Sequence, residues 1–369
     1  MGTNRRLWVK QIGLGLAGIG LANIESFAAP ATQLFLEEIG TADNPIILSS
    51  NENPYGPSPL ARKALVDNLT ISNRYNWKIS SQLIADVAKK NNVTEDSVLL
   101  GSGSTEILDL VSKSAASGTG NYVMADPSYS YWTVTLDNLG LKKKKVSLTA
   151  DKKIDLPAML AAVGADTKLV YLCNPNNPTG TMCEREALVN FVTAVPKTVT
   201  ILVDEAYLDF TKQQSLSTLI DDFPNIIIAR TFSKIYGLAG ARVGYALANK
   251  TTIDKLSSFQ SSPNGGVSVL SRLAAIASLK DDKFVSECKS WNESARNYTI
   301  DELKKLNCEC VSSNTSFIYF SLANFKKDYF QQLKDNHILG TRIYEEQGKW
   351  TRITVGTMEE MKQFVRAIQ

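Results

Sequence analysis

The sequence predicts an α/β protein: a three-layer sandwich around a mostly parallel sheet, joined to a smaller α+β domain. Three observations lead there. At 369 residues the chain exceeds what one simple core usually supports. From about residue 97, short apolar runs alternate with helical stretches, as in repeated strand–helix crossovers. Beyond about residue 265 the pattern changes to long helices followed by well-separated strands.

The elements follow in order. Residues 1–31 form a segment of their own. Arg5-Arg6 opens it, a short glycine-rich apolar stretch runs from Ile12 to Ala22, and the small residues of Ser26-Phe27-Ala28 and Ala29-Pro30-Ala31 close it. That order predicts a secretory signal peptide. Asn4-Arg5-Arg6-Leu7-Trp8-Val9-Lys10 resembles the bacterial twin-arginine export motif, with Trp8 where Phe is more usual. The expectation is an exported, periplasmic protein, the alternative a cytoplasmic one. The apolar run is short for a span of ~20 residues, so no stable membrane insertion of the mature chain is expected.

Residues 32–60 read as an arm that joins the small domain. It carries a short helix at Gln33–Gly40, a strand at Ile46–Leu48 and the loop Asn51-Glu52-Asn53-Pro54-Tyr55-Gly56-Pro57-Ser58-Pro59, stiffened by three prolines. Residues 61–265 read as the large domain. Helices are expected at Leu60–Asn68, Ser80–Asn91 and Ser104–Ser114. Strands are expected at Ser97–Leu100, Tyr122–Ala125, Lys168–Cys173, Thr200–Asp204, Ile226–Arg230 and Val243–Leu247. Residues 266–369 read as the small domain, with helices at Val267–Leu279 and Asp282–Lys305 and strands near Ser316–Ser321 and Thr351–Val355.

Composition excludes several functions. Forty basic and 37 acidic residues leave a formal charge of +3, too small and too mixed for a nucleic-acid partner. The run Lys142-Lys143-Lys144-Lys145 reads as the start of a solvated strand. The single histidine, His337, rules out a zinc site with two or more His ligands, and any Ser-His-Asp mechanism would have to use it. No metal is predicted. Proton transfer then falls to a lysine with a pKa lowered by burial and neighbouring charge. The five cysteines form no C-x-x-C pair and read as unpaired thiols, a Cys173–Cys183 bridge being the open alternative.

The chemistry-bearing segments sit after predicted strands, where open α/β sheets bind ligands. Gly101-Ser102-Gly103-Ser104-Thr105-Glu106 lies between a strand and a helix and suits a phosphate, although Ser104 and Glu106 could simply cap the helix. Asn174-Pro175-Asn176-Asn177-Pro178-Thr179-Gly180 is a constrained loop presenting amides. Asp204-Glu205-Ala206-Tyr207 places a carboxylate at a buried strand end, which calls for a cationic partner such as a protonated ring nitrogen. Thr231-Phe232-Ser233-Lys234 leads through a glycine-rich stretch to Arg242. Hydroxyls and an arginine suit phosphate, and a lysine beside them has a lowered pKa and can react with a carbonyl.

Together, in this order, these segments resemble the class I/II aminotransferases of the fold-type I pyridoxal-phosphate enzymes. The opening NENPYGPSP and closing RITVGT place the resemblance in the histidinol-phosphate aminotransferase-like branch, over roughly residues 45–369. The resemblance implies pyridoxal 5'-phosphate as cofactor, with Lys234 carrying it and shuttling the proton. It implies Asp204 at the ring nitrogen, Asn177 and Tyr207 at the ring hydroxyl, and Tyr129 stacked on the ring. Ser102, Gly103, Ser104, Thr231, Ser233 and Arg242 are implied at the phosphate. Tyr75 is implied to reach the neighbouring subunit's phosphate, hence a homodimer with shared active sites. Arg352 is implied at the substrate carboxylate, with Asn177 beside it and with Tyr55 and Arg342 near the distal end. The expected reaction is transamination between an amino acid or amine donor and a 2-oxo acid. The alternative on the same scaffold is a decarboxylase or lyase, as in the threonine-phosphate decarboxylase-like branch. The acidic pair Glu345-Glu346 near Arg342 predicts poor acceptance of a phosphorylated substrate.

Overall fold

The computed structural model describes residues 40–369, Ser117 apart. The export signal expected over residues 1–31 lies outside them, as does nearly all of the helix expected at Gln33–Gly40. No helix among the described residues is long and apolar enough to cross a membrane.

A seven-stranded sheet forms the centre, in the order β2-β8-β7-β6-β5-β3-β4. Its strands are β2 (Val98–Gly101), β3 (Gly120–Asp126), β4 (Leu141–Ser147), β5 (Thr167–Cys173), β6 (Thr200–Asp204), β7 (Ile226–Thr231) and β8 (Gly244–Leu247). Only β8 reverses direction, running antiparallel to both β2 and β7. The expected mostly parallel sheet and its strands are therefore present.

Period-two alternation explains the layers. In β5, Val170 and Leu172 face one apolar cluster, while Leu169, Tyr171 and Cys173 face another. In β7, Ile226 and Ile228 face the first and Ile227 and Ala229 the second. Both faces are thus covered, which is why these strands read as unbroken apolar runs. Strand β4 is the exception. It lies at the sheet edge, and its lysines stand largely in solvent, with Lys145 3.1 Å from Asp126 and Lys143 over the Tyr122 ring. Charged residues on an edge strand discourage pairing with another chain.

A second, smaller assembly holds the antiparallel sheet β11-β12-β9 (Ile343–Glu345, Trp350–Thr354, Phe317–Ser321) and the parallel pair of β1 (Ile46–Ile47) with β10 (Ile338–Leu339). Its core includes Ile318, Phe320, Ile353, Phe364 and Ile368. Helix Asp282–Lys305 serves both assemblies: Phe284 and Cys288 pack with the large sheet, Ala295 and Leu303 with the small one. At 1.5 Å per residue its 24 residues span about 36 Å, long enough to act as a common strut. Helix Val269–Ser278, on the far side of the change of pattern at residue 265, contributes Ala274, Ala275 and Ile276 to the large core. All five cysteines are free thiols, so Cys173 and Cys183 are not bridged.

Candidate active site

The carboxyl ends of β2, β3, β5, β6 and β7 open on one rim. Because β8 runs backwards, its amino end reaches the same rim and delivers Arg242 there. The register shows this directly, with Gly244 opposite both Gly101 and Thr231. Gly244 has no room for a side chain: a Cβ would strike the backbone of Ser104, Gly103 and Arg230. The rim and the small sheet enclose a cleft of about 890 Å³.

Lys234 stands at the floor. Its Nζ lies 3.3 Å from the Ser50 carbonyl and 5.6 Å from the centre of the Tyr207 ring. Burial, and then the nearby Arg352 guanidinium, lower its pKa to about 8. Asp204 ends β6 and is 3% exposed. It accepts hydrogen bonds from the Tyr171 hydroxyl and the Ala206 amide, both at 3.0 Å. Burial still dominates and pushes its carboxyl up to about 6. An anion held this way calls for a cation. Tyr207 is buried and accepts from the Asn51 amide at 2.9 Å, and burial raises its pKa, so its hydroxyl keeps its proton as a donor. The Asn177 oxygen accepts from Arg352 at 2.6 Å, which leaves its amide N–H groups free to donate.

The phosphate-type residues gather at one end. Gly103 has φ 76° and precedes helix Ser104–Ala115, whose first turn has no side-chain cap. Its orphan amides and dipole favour an anion. A side chain at Gly103 would collide with the Arg242 guanidinium. Thr231 donates to the Ser233 hydroxyl at 2.9 Å. Arg242 has no carboxylate partner among the described residues and leans on the Ala239 carbonyl at 3.0 Å.

Ser104, Tyr129, Asn177, Asp204, Tyr207, Thr231, Ser233, Lys234, Arg242, Arg342 and Arg352 all line the cleft. Two of the expected residues stand elsewhere. Ser102 turns its hydroxyl to the Gly266 carbonyl at 2.9 Å, and its amide donates to Glu106. Tyr55 packs on Trp291, with ring centres 4.6 Å apart, and lines a separate small cavity beside Cys288. Tyr75, expected at the neighbouring subunit's phosphate and not at this chain's own, is 94% exposed and stacks on Trp77. Tyr131, Tyr344, Thr105 and Asn51 line the cleft without having been singled out. Glu345-Glu346, expected to disfavour a phosphorylated substrate, do not line the cleft. Glu345 is turned away and bound by Lys152 and Tyr319, and Glu346 lies in an exposed turn.

The model for "Aminotransferase class I and II" matches residues 43–368. The chain belongs to this family. This aminotransferase is 34% identical to the histidinol-phosphate aminotransferase of Moorella thermoacetica, over 90% of this chain and 86% of the relative. It is 32% identical to that of Bacillus subtilis strain 168, over 88% and 90%. The crystal structure of histidinol-phosphate aminotransferase from Sinorhizobium meliloti in complex with pyridoxal-5'-phosphate superposes with a TM-score of 0.80 at 26% identity, covering 88% of this chain and 89% of that one.

The aminotransferase therefore depends on pyridoxal phosphate, and its residues fit that cofactor. Among the described residues the buried Asp204 carboxylate has no ion-pair partner, a side-chain-free cradle faces an arginine without a carboxylate, and a lysine of lowered pKa lines the same cleft. Asp204 would hold the ring nitrogen, Asn177 and Tyr207 the ring hydroxyl, and Arg242 with the Ser104 turn the phosphate.

Proposed function

We propose that this aminotransferase acts on amino donors and 2-oxo acids that present an anionic group to Arg342 at the cleft rim, with histidinol phosphate, whose one anionic group is its phosphate, the donor to try first. Bound pyridoxal phosphate supplies the electron sink that makes the substrate α-hydrogen acidic. Lys234 takes that proton on Nζ and returns it, and its lowered pKa suits both directions. Arg352 binds the α-carboxylate of those donors and acceptors that carry one. It is 6% exposed, its two terminal nitrogens bond Asn177 and the Ser49 carbonyl, and its Nε has no partner.

The observation that carries the substrate class is Arg342. It stands at the cleft rim between the rings of Tyr131 and Tyr344, 5.7 and 5.4 Å from their centres, and has no carboxylate partner among the described residues. A guanidinium beside two aromatic rings and without a carboxylate partner among the described residues is ready for a carboxylate or phosphate. The names of the curated relatives point the same way. Arg342→Ala should raise KM for histidinol phosphate and for a dicarboxylic 2-oxo acid about 10- to 100-fold, and leave a monocarboxylic amino acid within about threefold. Equal losses for all three would contradict this reading, and donor turnover with release of carbon dioxide would favour the decarboxylase.

We also propose the homodimer and export. Tyr75 and Trp77 are exposed, as are Leu60, Val66 and Leu69 a short way before them in the sequence, and burial against a second copy would cover such side chains. Light scattering should give twice the chain mass. The basic and apolar segments of residues 1–31 support export, which cell fractionation tests.

A further inference from the structure

We propose that Lys152 and Glu345 are positioning residues: their ion pair ties strand β11 to the rim of the large sheet and so sets Tyr344 against Arg342 and Arg352. The inference rests on the aminotransferase reading of the cleft.

Strand β11 has three residues and pairs only with β12, at the edge of the small sheet. The ladder shifts register between Ile343 and Glu345, which leaves Tyr344 at an irregular position. Such irregularities re-aim a side chain and weaken local pairing. Tyr344 lines the cleft, its ring centre 5.4 Å from the Arg342 guanidinium and 5.5 Å from that of Arg352. Glu345 points the other way. Each of its oxygens has one donor, Lys152 Nζ at 2.8 Å and the Tyr319 hydroxyl at 2.7 Å. Lys152 also lies 4.6 Å over the Trp350 ring, and Trp350 is the partner of Glu345 across the ladder.

Lys152 belongs to the turn after β4, not to the small sheet. Its backbone is in the left-handed region, at φ 63°, which a lysine rarely adopts without support. Its carbonyl accepts from the Thr181 hydroxyl at 2.7 Å, next to the loop that carries Asn177. Asn177 in turn accepts from Arg352 at 2.6 Å. A closed circuit results, running from Lys152 through Glu345 and Tyr344 to Arg352, and back through Asn177 and Thr181. The paired side chains are only 17% and 24% exposed, so solvent screens them less than an ordinary surface pair. Loss of either partner leaves the other half-buried and uncompensated, and frees the bulged strand. The residues touch neither the cofactor site nor the transferred proton, so binding should suffer and chemistry should not.

The test uses holoenzyme, with histidinol phosphate and a dicarboxylic 2-oxo acid as substrates. Lys152→Met and Glu345→Gln should each raise KM for both about five- to twenty-fold, with kcat within about twofold and the visible absorbance of the bound cofactor unchanged. The double variant should be no worse than the worse single one, since both remove the same link. Lys152→Arg should restore KM. Tyr344→Ala breaks the circuit with the ion pair intact and should raise KM alike, which keeps the test decisive should a pair variant misfold. Unchanged KM in Tyr344→Ala or in both single pair variants overturns the proposal, as does a fall in kcat at constant KM. A wild-type protein with neither absorbance band nor turnover refutes the aminotransferase reading itself, and the proposal falls with it.

Discussion

Burial works against the charged forms of both Asp204 and Lys234, at a cost to the stability of the cofactor-free protein. The carboxyl of Asp204 is pushed up to about 6 from the ordinary 3.8, chiefly by burial. A raised carboxyl pKa means that folding takes up protons between about pH 4 and 6, so the cofactor-free protein loses stability as pH rises through that window. Asp204→Asn keeps an acceptor for the Ala206 amide and removes the buried charge. It should stabilise the cofactor-free protein at pH 7 by about 1–3 kcal/mol, read by denaturant unfolding, and flatten its profile between pH 4 and 6. The same change should abolish transamination. Lys234 is depressed to about 8, so the rate of cofactor capture should rise with pH around a midpoint of about 8, not 10.5. At this scale the legible residues were those inside contiguous segments: Asn177, Asp204 and Tyr207, then Ser233, Lys234 and Arg242. Asn51 and Tyr131 were not legible, because each meets its partners across long stretches of chain, and Tyr344 was not, because it sits at the register shift of a short strand. The orientation of Glu345 was misjudged for a related reason: an irregular ladder decides which face a strand residue takes, and spacing does not reveal the irregularity.

Single positions control whole elements at the rim. The first turn of helix Ser104–Ala115 stays open because Gly103 has φ 76° and no side chain. Gly103→Ala forces an L residue into that conformation against Arg242. Pyridoxal phosphate affinity, measured by titration, should fall about tenfold or more. Behind the site, Arg230 on β7 is 4% exposed and pairs with Glu205 at 3.0 Å and Asp209 at 2.9 Å. This pins the Asp204–Tyr207 turn to its neighbouring strand. Arg230→Met leaves two carboxylates without their cation, and should lower stability by about 3–5 kcal/mol in denaturant unfolding. The central strands and the helices Asp282–Lys305 and Val269–Ser278 were legible from apolar periodicity and length. Helix Met358–Ile368 was passed over although Met361, Phe364, Val365 and Ile368 repeat at helical spacing and a Thr357–Glu360 capping box opens it. Short connecting helices such as Leu156–Ala162 carry too few turns to announce themselves.

At the scale of the whole molecule, the cleft exists because two sheets of different architecture face each other across one rim. The large sheet contributes Asp204, Lys234 and Arg242, and the small assembly contributes Arg342, Tyr344 and Arg352. The change of pattern near residue 265 was visible in the sequence. The strut formed by Asp282–Lys305 across both cores was not, since its apolar residues change partner without a break in periodicity. Everything converges on Lys234 as the group that holds the cofactor and moves the proton. The most direct measurement follows the visible absorbance of the cofactor-loaded protein while an amino donor, and then a 2-oxo acid, is added. The wild type should show a band that the donor shifts and the 2-oxo acid restores, while Lys234→Ala should lack the native band and all turnover. A native band that survives in Lys234→Ala, or a wild-type band that no donor shifts, would contradict the assignment.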